Sequence, residues 1–223
     1  VLAASCSLPT SGPSDGSTPP ATSAVASSTS RASSATTTDN APTTQDSVAD
    51  HILATMTLRQ KAAQCLLLTI DGTEPTPEAL ELMRIGPPGG ILLLDRNVRS
   101  PSQVSALVYA LQREARAQMP HGLGLLVAVD QEGGNVARIQ EGVPDVPPAR
   151  ELGDSSTPQE AALLAAQTAK GLSELGINVN LAPVADVVRD ADSFLYSRSY
   201  GADALRVAAF VGAVVEAYEA NGI

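Results

Sequence analysis

Between residues 65 and 223, short apolar runs alternate with longer stretches whose apolar positions recur every three to four residues. The runs CLLLTI, GGILLL, LGLLVAV and INVNLAPV (65–70, 89–94, 123–129 and 177–184) lack a polar face and read as strands covered on both sides. The stretches between and after them predict helices from Pro77 to about Arg84, from Ser100 to Met119, over 159–176, and from Asp203 through 222. Boundary signals agree with this division. Thr57-Leu58-Arg59-Gln60 has the spacing of a capping box. Pro101 suits a first helical turn, Thr157-Pro158 opens the third helix and Gly176 closes it.

Strands alternating with helices imply a parallel sheet, either open and doubly wound or closed into a (β/α)8 barrel. The strand ends separate the two. Asp71, Asp95, Asp130 and Asp186 each fall just past the C-terminal end of one of the four strands. A barrel gathers those ends around one pocket, where barrel enzymes carry their chemistry, whereas an open sheet spreads them along a crevice. Aspartate is also a common cap and turn former, so any one of these acids has a structural explanation as well.

Composition narrows the function. Acidic residues outnumber basic ones 24 to 14, a formal net charge of −10, which excludes the basic face that nucleic acid requires. No apolar run approaches the roughly 20 residues of a membrane-spanning helix. No Gly-x-Gly-x-x-Gly or phosphate-loop motif occurs, which disfavours nucleotides. From Ser7 to about Gln45 the chain is Ser, Thr, Ala and Pro with little charge, which predicts a disordered spacer because its apolar area cannot offset the ordering of its backbone. The folded part is expected to begin near Asp46. Cys65, beside an apolar run, is expected to pack as a small buried hydrophobe.

The segment LLVAVDQEGGNVARI (125–139) carries the most chemistry. A buried run ends in Asp130, a Gly-Gly pair allows a sharp turn, and Arg138 follows eight positions later. A carboxylate can accept from two neighbouring hydroxyls, and a guanidinium offers a rigid fork of donors, so the pair suits a small polyhydroxylated ligand. An internal Asp130–Arg138 ion pair explains the same residues equally well.

Four blocks then resemble, in order, glycoside hydrolase family 3 in its β-N-acetylglucosaminidase (β-hexosaminidase) branch: PPGGILLLDRNVRSPSQV, VAVDQEGGNVARI, LSELGINVNLAPVADV and RSYGADALRVAAFVGAVVEAYEANGI. The similarity runs from about Met56 to Ile223. It implies a (β/α)8 TIM-type barrel with the sugar at the strand C-termini, of which four βα units, the first half, are expected here. Residues 46–223 are fewer than the about 250 of a typical barrel. The resemblance assigns Asp130 to the sugar hydroxyls and Arg138 and Arg198 to binding the terminal sugar. It places Glu132 and Asp186 behind them, Asp186 as a brace for the loop after its strand. Asn135 departs from the arginine common after the two glycines.

The family's Lys-His segment, Gly-His-Gly loop and later nucleophilic aspartate have no counterpart among residues 1–223, so no catalytic residue is assigned in this chain. His51 precedes the first strand, and His121, before the third, is expected to be a solvated loop residue at the other end of the barrel. VLAASCS, ending at Ser7, resembles the end of a bacterial lipoprotein signal, which makes Cys6 the expected lipid-bearing residue of an exported, envelope-anchored protein. The implied whole is a retaining exo-glycosidase acting on terminal β-linked N-acetylglucosamine in peptidoglycan fragments or glycoconjugates, with no metal or organic cofactor implied and with residues 1–223 alone inactive. Its partners would be such a glycan and, through Cys6 only, a membrane. The alternatives are a related β-glucosidase or β-xylosidase and a non-catalytic, envelope-tethered sugar-binding lipoprotein.

Overall fold

The computed structural model describes residues 44–223. Cys6 and nearly all of the expected 7–45 spacer lie outside the described residues. Two helices lead into the sheet, α1 (Thr44–Thr55) and α2 (Leu58–Gln64). The capping box of α2 forms as its spacing predicts: Gln60 N–H donates to the Thr57 hydroxyl at 3.2 Å while the Gln60 carboxamide accepts from Thr57 N–H at 2.9 Å. Then come β1 (Leu67–Thr69), α3 (Pro77–Ile85), β2 (Gly90–Leu93), α4 (Pro101–Gln118) and β3 (Leu126–Val129). A two-stranded excursion, β4 (Gln131–Gly133) and β5 (Val136–Ala137), precedes α5 (Ala149–Ser155), α6 (Pro158–Glu174), β6 (Val179–Asn180) and α7 (Ala204–Glu219).

The main sheet is parallel, in the order β1-β2-β3-β6. Its strands neighbour one another in chain order without the reversal that creates the crevice of a doubly wound sheet. Right-handed crossovers in an unreversed order put every helix on one face and roll the sheet toward a barrel. Side-chain burial agrees. Ile91, Leu93, Val127 and Val129 point to the helix-covered face, all 0% exposed, and pack with Met83 of α3 and Leu107 and Leu111 of α4. The alternate positions turn the other way: Leu67 and Leu126, paired through Gly90, are 46% and 55% exposed, and Leu181 is 44% exposed. Among the described residues no helix covers this apolar second face, which is the lining of a barrel interior, and the fold is the (β/α)8 type, with four βα units among the described residues. A second core, around Phe210, Tyr200 and Ala165, joins α5, α6 and α7.

Three expectations fail locally. The strands are not covered on both sides along their whole length, since the face that carries Leu67 and Leu126 is open among the described residues. Cys65 is exposed rather than buried. It caps the C-terminus of α2 before the ladder begins, with Sγ 3.5 Å from the Lys61 carbonyl, so the adjacent apolar run does not enclose it. The fourth strand is two residues long instead of eight. Asn178 N–H and Leu181 N–H still donate to the carbonyls of Val127 and Val129, at 3.1 and 2.9 Å, but Pro183 has no N–H to continue the ladder.

Candidate functional site

The chain leaves β3 through Asp130 and doubles back at once. Gly133 and Gly134 adopt φ of +99° and +53°. Added Cβ atoms there would lie 2.7 Å from the Val146 carbonyl oxygen and 2.8 Å from Pro148, so both conformation and space require glycine. Gln131, 4% exposed, staples the hairpin from inside. Its side chain accepts from Ile139 N–H and donates to the Ile139 carbonyl, each at 2.9 Å. The Asn180 carboxamide of β6 brackets the backbone of the same residue, accepting from Gln131 N–H and donating to its carbonyl, both at 3.0 Å. The hairpin thereby returns Arg138 to the carboxylate at which the turn began.

Arg138 and Asp130 do meet, but loosely: Nη2 lies 3.6 Å from the Asp130 carboxylate, while Nη1 sits 3.1 Å from Asp95 at the end of β2. The Asp130 and Arg138 side chains are 25% and 21% exposed, so the pair faces the mouth of the sheet without being sealed. The Arg138 Nε is buried and has no partner. A cavity of ≈ 270 Å³ adjoins it, lined by Asp95, Arg99, Arg138 and Glu141 among others. Asp95 is therefore a member of the site that sequence reasoning counted among the strand-end acids but did not join to Arg138. The separation of 43 positions hid the contact.

The second arginine is held differently. Arg198 ends the short 3-10 turn Tyr196–Arg198, in the long connection from β6 to α7. Its Nε and Nη2 donate to the two oxygens of Glu132 at 2.8 and 2.6 Å, a bidentate fork on a carboxylate only 7% exposed. That hydrogen-bonded carboxylate raises the Arg198 pKa above the ordinary guanidinium value, partial burial opposes it, and the charges of Asp130 and Asp186 add to the attraction. Glu132 thus stands behind Arg198 rather than behind Asp130, a pairing across 66 positions that no local pattern announces.

Asp186 braces its loop through the main chain. Its carbonyl accepts the Ser199 hydroxyl, and Ser199 also receives Gly201 N–H at 3.2 Å, while the Asp186 side chain stays exposed. Arg150 of α5 clamps the same loop, donating to the carbonyls of Val188 at 2.7 Å and Tyr196 at 3.3 Å, with its guanidinium 4.2 Å from the Tyr196 ring centroid. Asp71 turns to Arg96, 3.1 Å away, and is 91% exposed. Asn135 is exposed in the hairpin turn. His121 is exposed in the turn before β3, its ring 4.9 Å from that of His51, and both lie away from the strand C-termini. Among the described residues no group of three or more His, Cys, Asp or Glu side chains gathers as a metal site, and no helix is long and apolar enough to cross a membrane. The arrangement offers fixed donors and a carboxylate acceptor around a shallow mouth, which is chemistry for holding hydroxyl groups.

Comparison with known proteins covers the same stretch of the chain. Residues 57–223 match the family described as the glycosyl hydrolase family 3 N-terminal domain. A Pseudomonas aeruginosa β-hexosaminidase is 32% identical over 163 residues, covering 71% of this chain and 46% of its own length. This chain thus spans about half the length of the curated relatives it matches. The solved family 3 β-N-acetylglucosaminidase of Paenibacillus sp. FPU-7 superposes with a TM-score of 0.71 at 33% identity, over 75% of this chain and 32% of that one. The NagZ structure of Neisseria gonorrhoeae in complex with N-trifluoroacetyl-D-glucosamine gives 0.63 at 25% identity, over 71% and 47%.

Proposed function

The chain belongs to glycosyl hydrolase family 3, and on that premise we propose that its gene product is a retaining exo-glycosidase removing terminal β-linked N-acetylglucosamine from peptidoglycan fragments or glycoconjugates. The observation that carries this reading is the constellation at the mouth of the sheet: Asp130 beside Arg138, with Arg198 fixed by Glu132. Asp130 accepts from adjacent hydroxyls of the terminal sugar, and the two guanidinium groups donate to its oxygens. The names of the matched relatives, and the glucosamine derivative in the Neisseria complex, favour the acetamido sugar over a plain glucoside or xyloside. A retaining glycosidase uses a nucleophile that attacks the anomeric carbon and a second group that protonates the leaving oxygen and then activates water. Neither is assigned among residues 1–223, so these residues supply the grip and, alone, do not turn over substrate.

The discriminating experiment compares hydrolysis of 4-nitrophenyl N-acetyl-β-D-glucosaminide with that of the matching β-glucoside by the full-length gene product. Preferential cleavage of the acetamido substrate is expected. Preference for the glucoside would move the protein to another branch of the family, and binding without any cleavage would leave a lectin-like role. Cys6 we take to be the lipid anchor of an exported protein. Incorporation of labelled palmitate that disappears in Cys6→Ala supports this, and equal incorporation in both contradicts it.

A further inference from the structure

The chain contains two phenylalanines and no tryptophan. One of them, Phe210 of α7, is conventional: 2% exposed and stacked on Tyr200 with centroids 4.9 Å apart. The other, Phe194, is 79% exposed, although its loop is firmly supported. Its neighbours Leu195 and Tyr196 are half-buried, Leu195 N–H donates to the Ser193 hydroxyl at 3.2 Å, and Arg150 clamps the carbonyl of Tyr196. The loop therefore had an interior to offer and presents the ring outward instead. The centroid of that ring lies 5.9 Å from the guanidinium carbon of Arg198.

We propose that Phe194 is a platform on which the second sugar of the substrate, the one released from the terminal residue, stacks its apolar face; this rests on the function proposed above. One face of a pyranose ring is lined with C–H groups, and a rigid aromatic ring offers it apolar contact at little entropic cost. The polar grip fixes which sugar that is. Asp130, Arg138 and Arg198, all at least two-thirds buried, take the hydroxyls of the terminal residue. Phe194 is the more exposed of the two neighbours, 79% against 31% for the Arg198 side chain, so on this proposal it meets the part of the glycan that leaves the grip toward solvent. It determines preference for the leaving group and touches no bond that breaks.

The test uses the full-length gene product and two substrates with the same terminal sugar. One is the β-linked disaccharide of N-acetylglucosamine; the other is N-acetyl-β-D-glucosaminyl fluoride, whose leaving group is a single atom. In Phe194→Ala the ratio of kcat/KM for disaccharide to that for fluoride should fall about tenfold, the equivalent of about 50 Å² of apolar contact, and Phe194→Tyr should restore it. An unchanged ratio overturns the proposal, whether both rates hold or both fall together, since a parallel loss would assign Phe194 to packing. Wild-type protein that cleaves neither substrate refutes the glycosidase reading itself, and the platform falls with it.

Discussion

The two arginines at the mouth of the sheet are similar residues in different states. Arg198 has two charge-assisted hydrogen bonds to a carboxylate that is nearly sealed from solvent. Arg138 divides itself between Asp95 at 3.1 Å and Asp130 at 3.6 Å, and its Nε has no partner. The first is a preorganised post: its position is settled before a ligand arrives, so little ordering remains to oppose binding. The second retains donor capacity and sits beside a cavity, so in the function proposed its interactions are completed by the sugar. One half of the site belongs to the fold and the other half to the ligand.

That contrast breaks most sharply at Glu132. Glu132→Gln leaves Arg198 without its anion, which should cost about 3 kcal/mol of stability, near the low end for a buried pair because Arg198 keeps some solvent. The same change should lower kcat/KM on the acetamido substrate about a hundredfold, as expected when a charged hydrogen-bonding group loses its position. Arg138→Met should instead lower kcat/KM about thirtyfold with less than about 1 kcal/mol lost in urea denaturation, because its partners are looser and the site is open. If the two variants lost equal stability, the distinction between them would be wrong.

Alkaline pH probes the tight half through its foundation. Tyr200, just after Arg198, is 5% exposed, and burial pushes its hydroxyl up from 10.0 to about 12, with nearby Tyr218 adding to the effect. The folded state holds that proton more firmly than the unfolded state. Its contribution is therefore complete below pH 10.0 and is lost as pH rises toward about 12. Melting temperatures should decline across this window, and Tyr200→Phe should flatten the decline. Smallest of all, Asp95→Asn should change stability by less than about 0.5 kcal/mol and activity no more than about threefold, since Asp95 is 73% exposed and its ion pair is largely screened.

How much of this was legible depended on distance along the chain. Helix starts are local: the capping box at Thr57 formed as its spacing required, and the helices expected to open at Thr157-Pro158 and at Asp203 do so, with Thr157 and Asp203 as their caps. The Gly-Gly turn and the return of Arg138 to Asp130 were readable because nine residues contain the whole device. The Glu132–Arg198 fork and the Asp95–Arg138 pair were not, because the sheet and the long loop after β6 make those contacts, not the local sequence. Two asparagines left a signal that could have been used: Asn178 and Asn180 alternate within an apolar run, and their side chains bond the backbone of Val127 in β3 and of Gln131 at the start of β4. The exposed face of β1 and the surface position of Cys65 escaped the reading for the opposite reason. A uniformly apolar run shows that a strand is apolar on both faces, not that both faces are covered along its whole length.

The most direct test of the central claim is the kcat/KM of full-length Asp130→Asn on 4-nitrophenyl N-acetyl-β-D-glucosaminide, with circular dichroism to verify the fold. Asp130 loses its charge and half of its acceptor capacity while keeping its shape, so the account predicts a loss of about a hundredfold or more with an unchanged spectrum and melting temperature. Wild-type kinetics in that variant would mean that the carboxylate at the end of β3 does not hold the sugar, and the proposed grip would have to be abandoned.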